Sequence, residues 1–254
     1  MIIDKDEISW LNKNYPGLFI DNIDKNIIIK GDFKFRAVFD DSSGNYIINP
    51  NINNHYNYPI IEDKYKIEIR SPSDLSSFPI IKNTDSRLLN LSKNLGCDSR
   101  DLHVYSELIT KNMLCVIGPF DAEKIKGKIA LSDLINRSLV PFFYDSSYFE
   151  KYHLRPREHY GHGAWGVLEN YYDIVNIDSD IDIDLEKSCI AKLKNDRKNW
   201  NIIKKFLISR DNIKGHISCF VCGKNEIRIC HKKIFFALFR LHNNIKELNL
   251  YNNL

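Results

Sequence analysis

The spacing of apolar positions switches between two and about 3.6 along the chain. Phe33, Phe35, Ala37 and Phe39 alternate with Lys34, Arg36 and Val38, and a turn follows at Asp40-Asp41-Ser42-Ser43-Gly44. Tyr65, Ile67 and Ile69 alternate with Lys66 and Glu68. A period of two marks half-buried antiparallel strands. Phe78-Pro79-Ile80-Ile81 reads as the last strand of a meander. Ahead of these strands, Asp4-Lys5-Asp6-Glu7 leads into Ile8, Trp10 and Leu11. That pattern predicts a short helix with acidic residues at its positive end, stopped by Tyr15-Pro16-Gly17. Residues 49–59, rich in Asn, Tyr and Pro, predict an exposed loop.

Beyond residue 82 the pattern is irregular up to 128, punctuated by Gly96, Gly118, Pro119 and Gly127. An irregular stretch of that length inside a compact domain usually carries function. Helical periodicity returns from Ile129 to Phe149, where Leu131, Leu134, Ile135 and Leu139 share a stripe. Pro141 is expected to end or kink that helix. Leu185–Ser209 predicts one amphipathic helix with Cys189, Leu193, Trp200, Ile203 and Phe206 on one side. A further helix is predicted from about Ile234 to Leu248. The class these elements predict is α+β.

Composition narrows the functional range. The chain has 254 residues, 27% charged and 43% hydrophobic, which is ordinary for a soluble protein with a real core. No apolar run reaches the ~18–20 residues of a membrane span. Met1-Ile2-Ile3-Asp4-Lys5-Asp6 lacks a basic region leading into an apolar core, so a cytoplasmic protein is expected rather than a secreted one. The net charge of +3 hides an asymmetry. Residues 185–254 carry 15 Lys and Arg against 5 Asp and Glu, a net of +10, and residues 1–184 carry −7. The sign changes at the acidic run Asp178–Asp184. Two modules are therefore expected, residues 1–177 and 185–254.

The six cysteines are Cys97, Cys115, Cys189, Cys219, Cys222 and Cys230. Without a signal peptide they favour thiol chemistry or metal binding over disulfides. His103 precedes Cys115 by twelve positions, and Gly118-Pro119 fixes the chain shortly after. Such a rigid path can hold a sulfur at a surface. The competing reading is a structural thiol, because Met113-Leu114-Cys115-Val116-Ile117 also fits a core strand. Cys97, beside Gly96 and Asp98, reads as an exposed loop thiol with no role.

Order along the chain adds to this. A helix, antiparallel strands, an irregular segment holding His then Cys, and a helix together resemble the ubiquitin-conjugating (UBC) fold. Tyr65-Lys-Ile-Glu-Ile69, Asp74-Leu75 and Phe78-Pro79-Ile80-Ile81 look like that family's strand and proline segment. Arg87-Leu88, His103-Val104-Tyr105 and Leu114-Cys115 look like its prokaryotic version. His162-Gly163, Gly166, Glu169 and Tyr171 match a His-Gly-x-x-Gly-x-x-Glu-x-Tyr signature. It is similar to the one following the domain in bacterial ubiquitin-conjugating-like proteins of antiphage gene clusters. The resemblance spans about residues 4–175. It implies a transferase that carries the C-terminus of a ubiquitin-like or ubiquitin-mimicking protein as a thioester on Cys115 and passes it to an amine. It implies an activating enzyme as a partner, and His103 as a loop-organising residue. The eukaryotic family has His-Pro-Asn where this chain has His103-Val104-Tyr105. An oxyanion donor must then come from Tyr105, Asn112 or a backbone N–H. His162 is either a base or orienting group for Cys115 or the cap of the helix that follows. Trp165 reads as core.

The tail carries Cys219-x2-Cys222-Gly223-x6-Cys230-His231. Four soft or borderline ligands in thirteen residues suit a structural tetrahedral Zn2+, and the Gly suits a knuckle turn. The pattern is similar to the SEC-C zinc motif, with the second Cys one place later. His216 is a substitute ligand if His231 turns away. The basic tail admits nucleic acid, but few exposed aromatics are evident for base stacking, and protein contact is favoured. Two further readings stay open: an inert UBC-like adaptor docking through its zinc tail, and a hydrolase using Cys115 with His103 or His162.

Overall fold

The computed structural model describes residues 1–23, 26–71, 78–105, 111–124, 129–157, 160–177, 182–209 and 214–254. The protein is α+β with an antiparallel sheet. Asp74-Leu75, Gly127, Glu158-His159 and most of the acidic run, 178–181, lie outside the described residues. Among the described residues, no helix is long and apolar enough to cross a membrane.

Contacts divide the chain into two units. The first holds Met1–Ile117 and Asp121–Glu158, and the second holds Gly118–Phe120 and His159–Leu254. The division therefore falls before the signature helix and not at the acidic run, where the sequence reading placed it. The reason is packing: that helix buries Ala164, Leu168 and Tyr171 among tail residues. The acidic residues of 160–184 then count with the tail. Net charge by unit becomes −1 and +4, so most of the asymmetry belongs to neighbouring segments of one unit.

The first unit opens with helix α1 (Lys5–Asn14), N-capped by Asp4, whose side chain accepts the Glu7 N–H at 2.9 Å. The sheet follows, with β1 (Leu18–Ile23), β2 (Asn26–Asp40), β3 (Asn45–Ile48), β4 (Ile61–Ser71) and β5 (Ile80–Asn83). All pairings are antiparallel, in the order β1-β2-β4-β5, with β3 also on β2. The period of two is explained by one buried face: Phe33, Phe35, Tyr65, Ile67 and Ile69 lie in the core. Phe143 covers it, 4.4 Å from the Tyr65 ring and 5.5 Å from Phe33 between centroids.

Phe143 lies on α5 (Val140–Tyr152), the continuation of α4 (Leu131–Leu134) through a π turn, Ile135–Leu139. Pro141 thus neither ends the helix nor stands in a regular one. Its missing N–H and bulky ring follow a widened turn. The helix ends instead at His153, in the left-handed region.

The span 82–128 is less irregular than its sequence suggests. It holds α2 (Arg87–Leu95), a 3-10 turn (Ser99–Leu102) and α3 (Pro119–Lys124). Arg87 anchors α2. Its guanidinium lies 2.8 Å from Asp63, 2.6 Å from Glu150 and 4.3 Å over the Tyr65 ring. Burial by itself would raise the Asp63 carboxyl, but hydrogen bonds from Arg87 and Ser147 outweigh it and hold the carboxyl below its ordinary value.

The second unit packs α6 (Gly163–Ile177), α7 (Ile183–Asn195), α8 (Arg197–Ile208), α9 (Ile227–Cys230) and α10 (Lys232–Glu247) around Leu168, Leu193, Ile203, Leu207, Leu238 and Leu241. The helix expected over 185–209 is two helices, because Asp196 interrupts it. Its carboxylate caps α8 through the Asn199 N–H at 3.2 Å and takes the Ala164 N–H of α6 at 2.9 Å. The lysines of this segment are accordingly spread over two helices.

Glu186 is buried on the apolar side of α7. The Tyr171 hydroxyl lies 2.7 and 2.9 Å from its two oxygens, and the Asn244 amide donates to Oε1 at 2.7 Å. Burial raises its carboxyl above the ordinary 4.5 despite these bonds. A raised folded pKa means the stabilisation is complete below the unfolded value and is lost as pH rises through the folded one. Glu186→Gln keeps an acceptor and stays neutral. Urea unfolding at about pH 4.5 and about pH 8 should show wild type losing stability across that window and the variant losing less. Equal pH slopes for the two proteins contradict the assignment.

Candidate functional site

The segment around Cys115 extends the sheet past β5. The Leu114 N–H donates to the Ile81 carbonyl at 2.9 Å, and the Asn83 N–H donates to the Asn112 carbonyl at 2.9 Å. On its far side the same segment pairs with 103–105. The Cys115 N–H donates to the His103 carbonyl and the Tyr105 N–H to the Met113 carbonyl, each at 2.9 Å. Val104 and Leu114 face each other across this pairing and are both buried. The register therefore sets His103 opposite Cys115. His103 has φ 56°, in the left-handed region, and its Nδ1 is buried.

Cys115 itself is half-buried, with Sγ 3.9 Å from the Ile117 carbonyl oxygen. Burial pushes its thiol above the ordinary value. A cysteine activated in isolation shows the reverse, a thiolate stabilised by a cation or helix N-terminus. Of the two side chains considered as oxyanion donors, Asn112 already donates its amide to Ser86 Oγ at 2.8 Å, while Tyr105 is exposed.

His162 belongs to the second unit, at the start of α6. The other residues of its signature have clear structural work. Gly163 takes φ 60°, and a Cβ there would meet the Asp196 carboxylate at 2.6 Å. A Cβ on Gly166 would stand 1.8 Å from the Gly161 carbonyl, a separation no larger residue can tolerate. The Glu169 carboxylate accepts the Gly161 N–H at 2.5 Å, and Tyr171 meets Glu186. Trp165 is half-buried, 5.5 Å from the Phe220 ring.

The second constellation is the cysteine cluster. Cys219, Cys222, Cys230 and His231 bring their ligand atoms within 4.8 Å of one another, close enough to bind a metal ion. Backbone geometry assembles them. Gly223, at φ 71°, turns the chain so that its N–H reaches the Cys219 carbonyl at 2.6 Å. Ser218 and Glu226 form an antiparallel bridge, and the Cys219 N–H donates to the Asn225 carbonyl at 2.8 Å. The turn of α9 then presents Cys230, and His231 follows at its end.

The distances test the fit. Cys222 and Cys230 sulfurs are 3.7 Å apart, and His231 Nδ1 is 3.2 Å from Cys219 Sγ and 3.3 Å from Cys230 Sγ. Tetrahedral Zn–S bonds of about 2.3 Å set sulfurs ~3.8 Å apart, whereas a disulfide needs ~2.05 Å. The thiols are free. Burial and the neighbouring thiols of Cys219 and Cys222 push Cys230 up to about 12, while the Lys224 N–H lowers Cys222. Burial lowers His231, favouring the neutral, ligating imidazole. His216 is exposed and His231 faces the sulfurs, so the substitute is not called upon.

Sequence reasoning missed Asp196 and Glu186. Each carried a signal: an Asp three residues before Asn199 in a presumed helix interior, and a Glu on an apolar stripe with Cys189, Ile190 and Leu193. Comparison with known proteins returns nothing: no family model, no curated protein and no solved structure matches the chain.

Cys115 alkylation provides a direct check on its environment. Iodoacetamide labelling of the native chain, followed by peptide mass mapping, should give Cys115 a pH midpoint above the ~8.5 of a free thiol. In the denatured chain the midpoint should return to that value. A native midpoint below it would refute the burial argument.

Proposed function

We propose that the chain is a UBC-like cysteine transferase of a bacterial defence system. Cys115 accepts the activated C-terminus of a ubiquitin-like protein from an activating enzyme. A new S–C bond forms at Cys115 as the donor's S–C bond breaks and its thiol leaves. Attack by an acceptor amine then releases Cys115. The observation that carries this reading is the strand beyond β5, where His103 and Cys115 stand opposite in register after a helix and an antiparallel meander. That order is the one the resemblance implies.

Its test is chemical. Tagged chain isolated from its native cells should carry a protein adduct that a thiol reagent removes. Cys115→Ser should convert it to a thiol-resistant ester, and Cys115→Ala should abolish it. An adduct insensitive to Cys115, or none in any form, ends this reading. The raised Cys115 thiol favours a second one, an inert adaptor of the same fold. It predicts no adduct, and partner co-purification that Cys115→Ala leaves unchanged.

For the tail, the donor set supports structural zinc. Cys219, Cys222, Cys230 and His231 fill all four positions, leaving none open for catalysis. Purified protein should contain a single zinc ion per chain by elemental analysis. Chelation should cost amide-exchange protection around residues 215–231. Protection that survives complete metal removal contradicts the assignment.

A further inference from the structure

The four ligands of the cluster are not equally protected. Cys219 is 1% exposed, whereas Cys222 is an exposed residue at the knuckle's tip. Beside it, Gly223 has open space where a side chain would stand, so a small solute meets no obstacle on that flank. Cys230 Sγ lies 3.7 Å from the Cys222 sulfur. Closing that gap to a disulfide needs a movement of under ~2 Å, and Gly223 is the permissive backbone position beside the residue that must move.

We propose that this cluster is a peroxide-responsive thiol switch, in which Cys222 and Cys230 oxidise to a disulfide and release the metal. This rests on the zinc reading above. The Cys222 sulfur attacks one peroxide oxygen, the O–O bond breaks, and hydroxide leaves, giving a sulfenic acid. The Cys230 sulfur attacks Cys222 and expels a second hydroxide. The two sulfurs lose two electrons, the peroxide gains two, and two protons convert the hydroxides to water. Cys219 and His231 are left as the only two ligands, too few to hold zinc, and the ion departs.

The change is reversible by reduction. Three backbone bonds cross the knuckle and belong to its closed form: Cys219 N–H to the Asn225 carbonyl at 2.8 Å, Ile227 N–H to Ile217 at 3.2 Å and Arg228 N–H to Gly215 at 3.3 Å. A dithiol reductant that opens the disulfide frees all four ligands again, and added zinc then closes the knuckle. The remaining cysteines compete poorly. Cys189 is fully buried, and Cys97 and Cys115 are half-buried.

The experiment uses the full chain loaded with zinc. Elemental analysis beforehand establishes the metal, so a failed zinc reading is seen before any oxidant is added. Hydrogen peroxide is then titrated in while a chromogenic chelator follows free zinc, and peptide mapping locates the oxidised sulfurs. Release should accompany a Cys222–Cys230 disulfide, and dithiothreitol with added zinc should reverse both. Cys222→His keeps a ligand but cannot form this disulfide, so it should release zinc about tenfold more slowly. Zinc retained through oxidation of the other cysteines overturns the proposal. So does release with any other sulfur pair joined. If the variant fails to load zinc, the disulfide map of the wild-type chain decides by itself.

Discussion

A strand edge leaves backbone N–H and C=O groups that must find partners, and the free edge of β5 finds them in residues 112–114. Everything about the Cys115 site follows from that requirement. Once 112–114 is laid along β5, the segment 103–105 pairs on its other side, and Val104 and Leu114 bury themselves across the new ladder. Cys115 is then the residue at which the added strand leaves the sheet. The position of the sulfur is thus fixed by main-chain hydrogen bonds and two apolar side chains, with the Asn112–Ser86 contact tying the strand to the start of α2. Any chemistry assigned to Cys115 inherits this rigidity.

The second unit depends on carboxylates placed where helices need them. Asp196 serves two helix N-termini at once, which is why a sequence that looks like one helix breaks there. Glu186 is the costlier of the two. Burying a carboxyl is unfavourable unless its lone pairs are used, and Tyr171 and Asn244 use them. The glycines of the signature obey the same economy of space. Gly166 exists because the Gly161 carbonyl lies against it, and Gly163 because Asp196 must reach Ala164.

The meander was legible because its signal is local and periodic: Phe33, Phe35, Tyr65, Ile67 and Ile69 alternate, and one face is buried. The spacing of Cys219, Cys222, Cys230 and His231 was legible for a similar reason, since ligands so close in sequence have few ways to converge. What escaped was non-local. Nothing in Arg87-Leu88 reveals that Arg87 joins Asp63 to Glu150, because those partners are separated by 24 and 63 positions. The division between units escaped because charge was used in place of packing. Residues 160–184 are acidic, yet Ala164, Leu168 and Tyr171 of α6 pack with the basic helices that follow. The π turn ahead of Pro141 shows the same limit: the proline marks a disturbance, but tertiary packing of Leu134, Ile135 and Leu139 carries the helix through it.

On the transferase reading, the state of Cys115 sets a condition on its partners. A thiol raised by burial holds its proton at neutral pH. It is a weak nucleophile until the proton leaves, and as a leaving group it departs less readily than an ordinary thiol. Resting protein of this kind is therefore protected against casual alkylation and hydrolysis. The activating step must then arise when a donor protein docks, through a cation or oriented N–H groups that the donor brings to the sulfur or through a movement that opens it to water. His103 stands opposite Cys115 in register. Its left-handed backbone already departs from regular strand geometry, so the pairing that fixes Cys115 also leaves one strained point beside it.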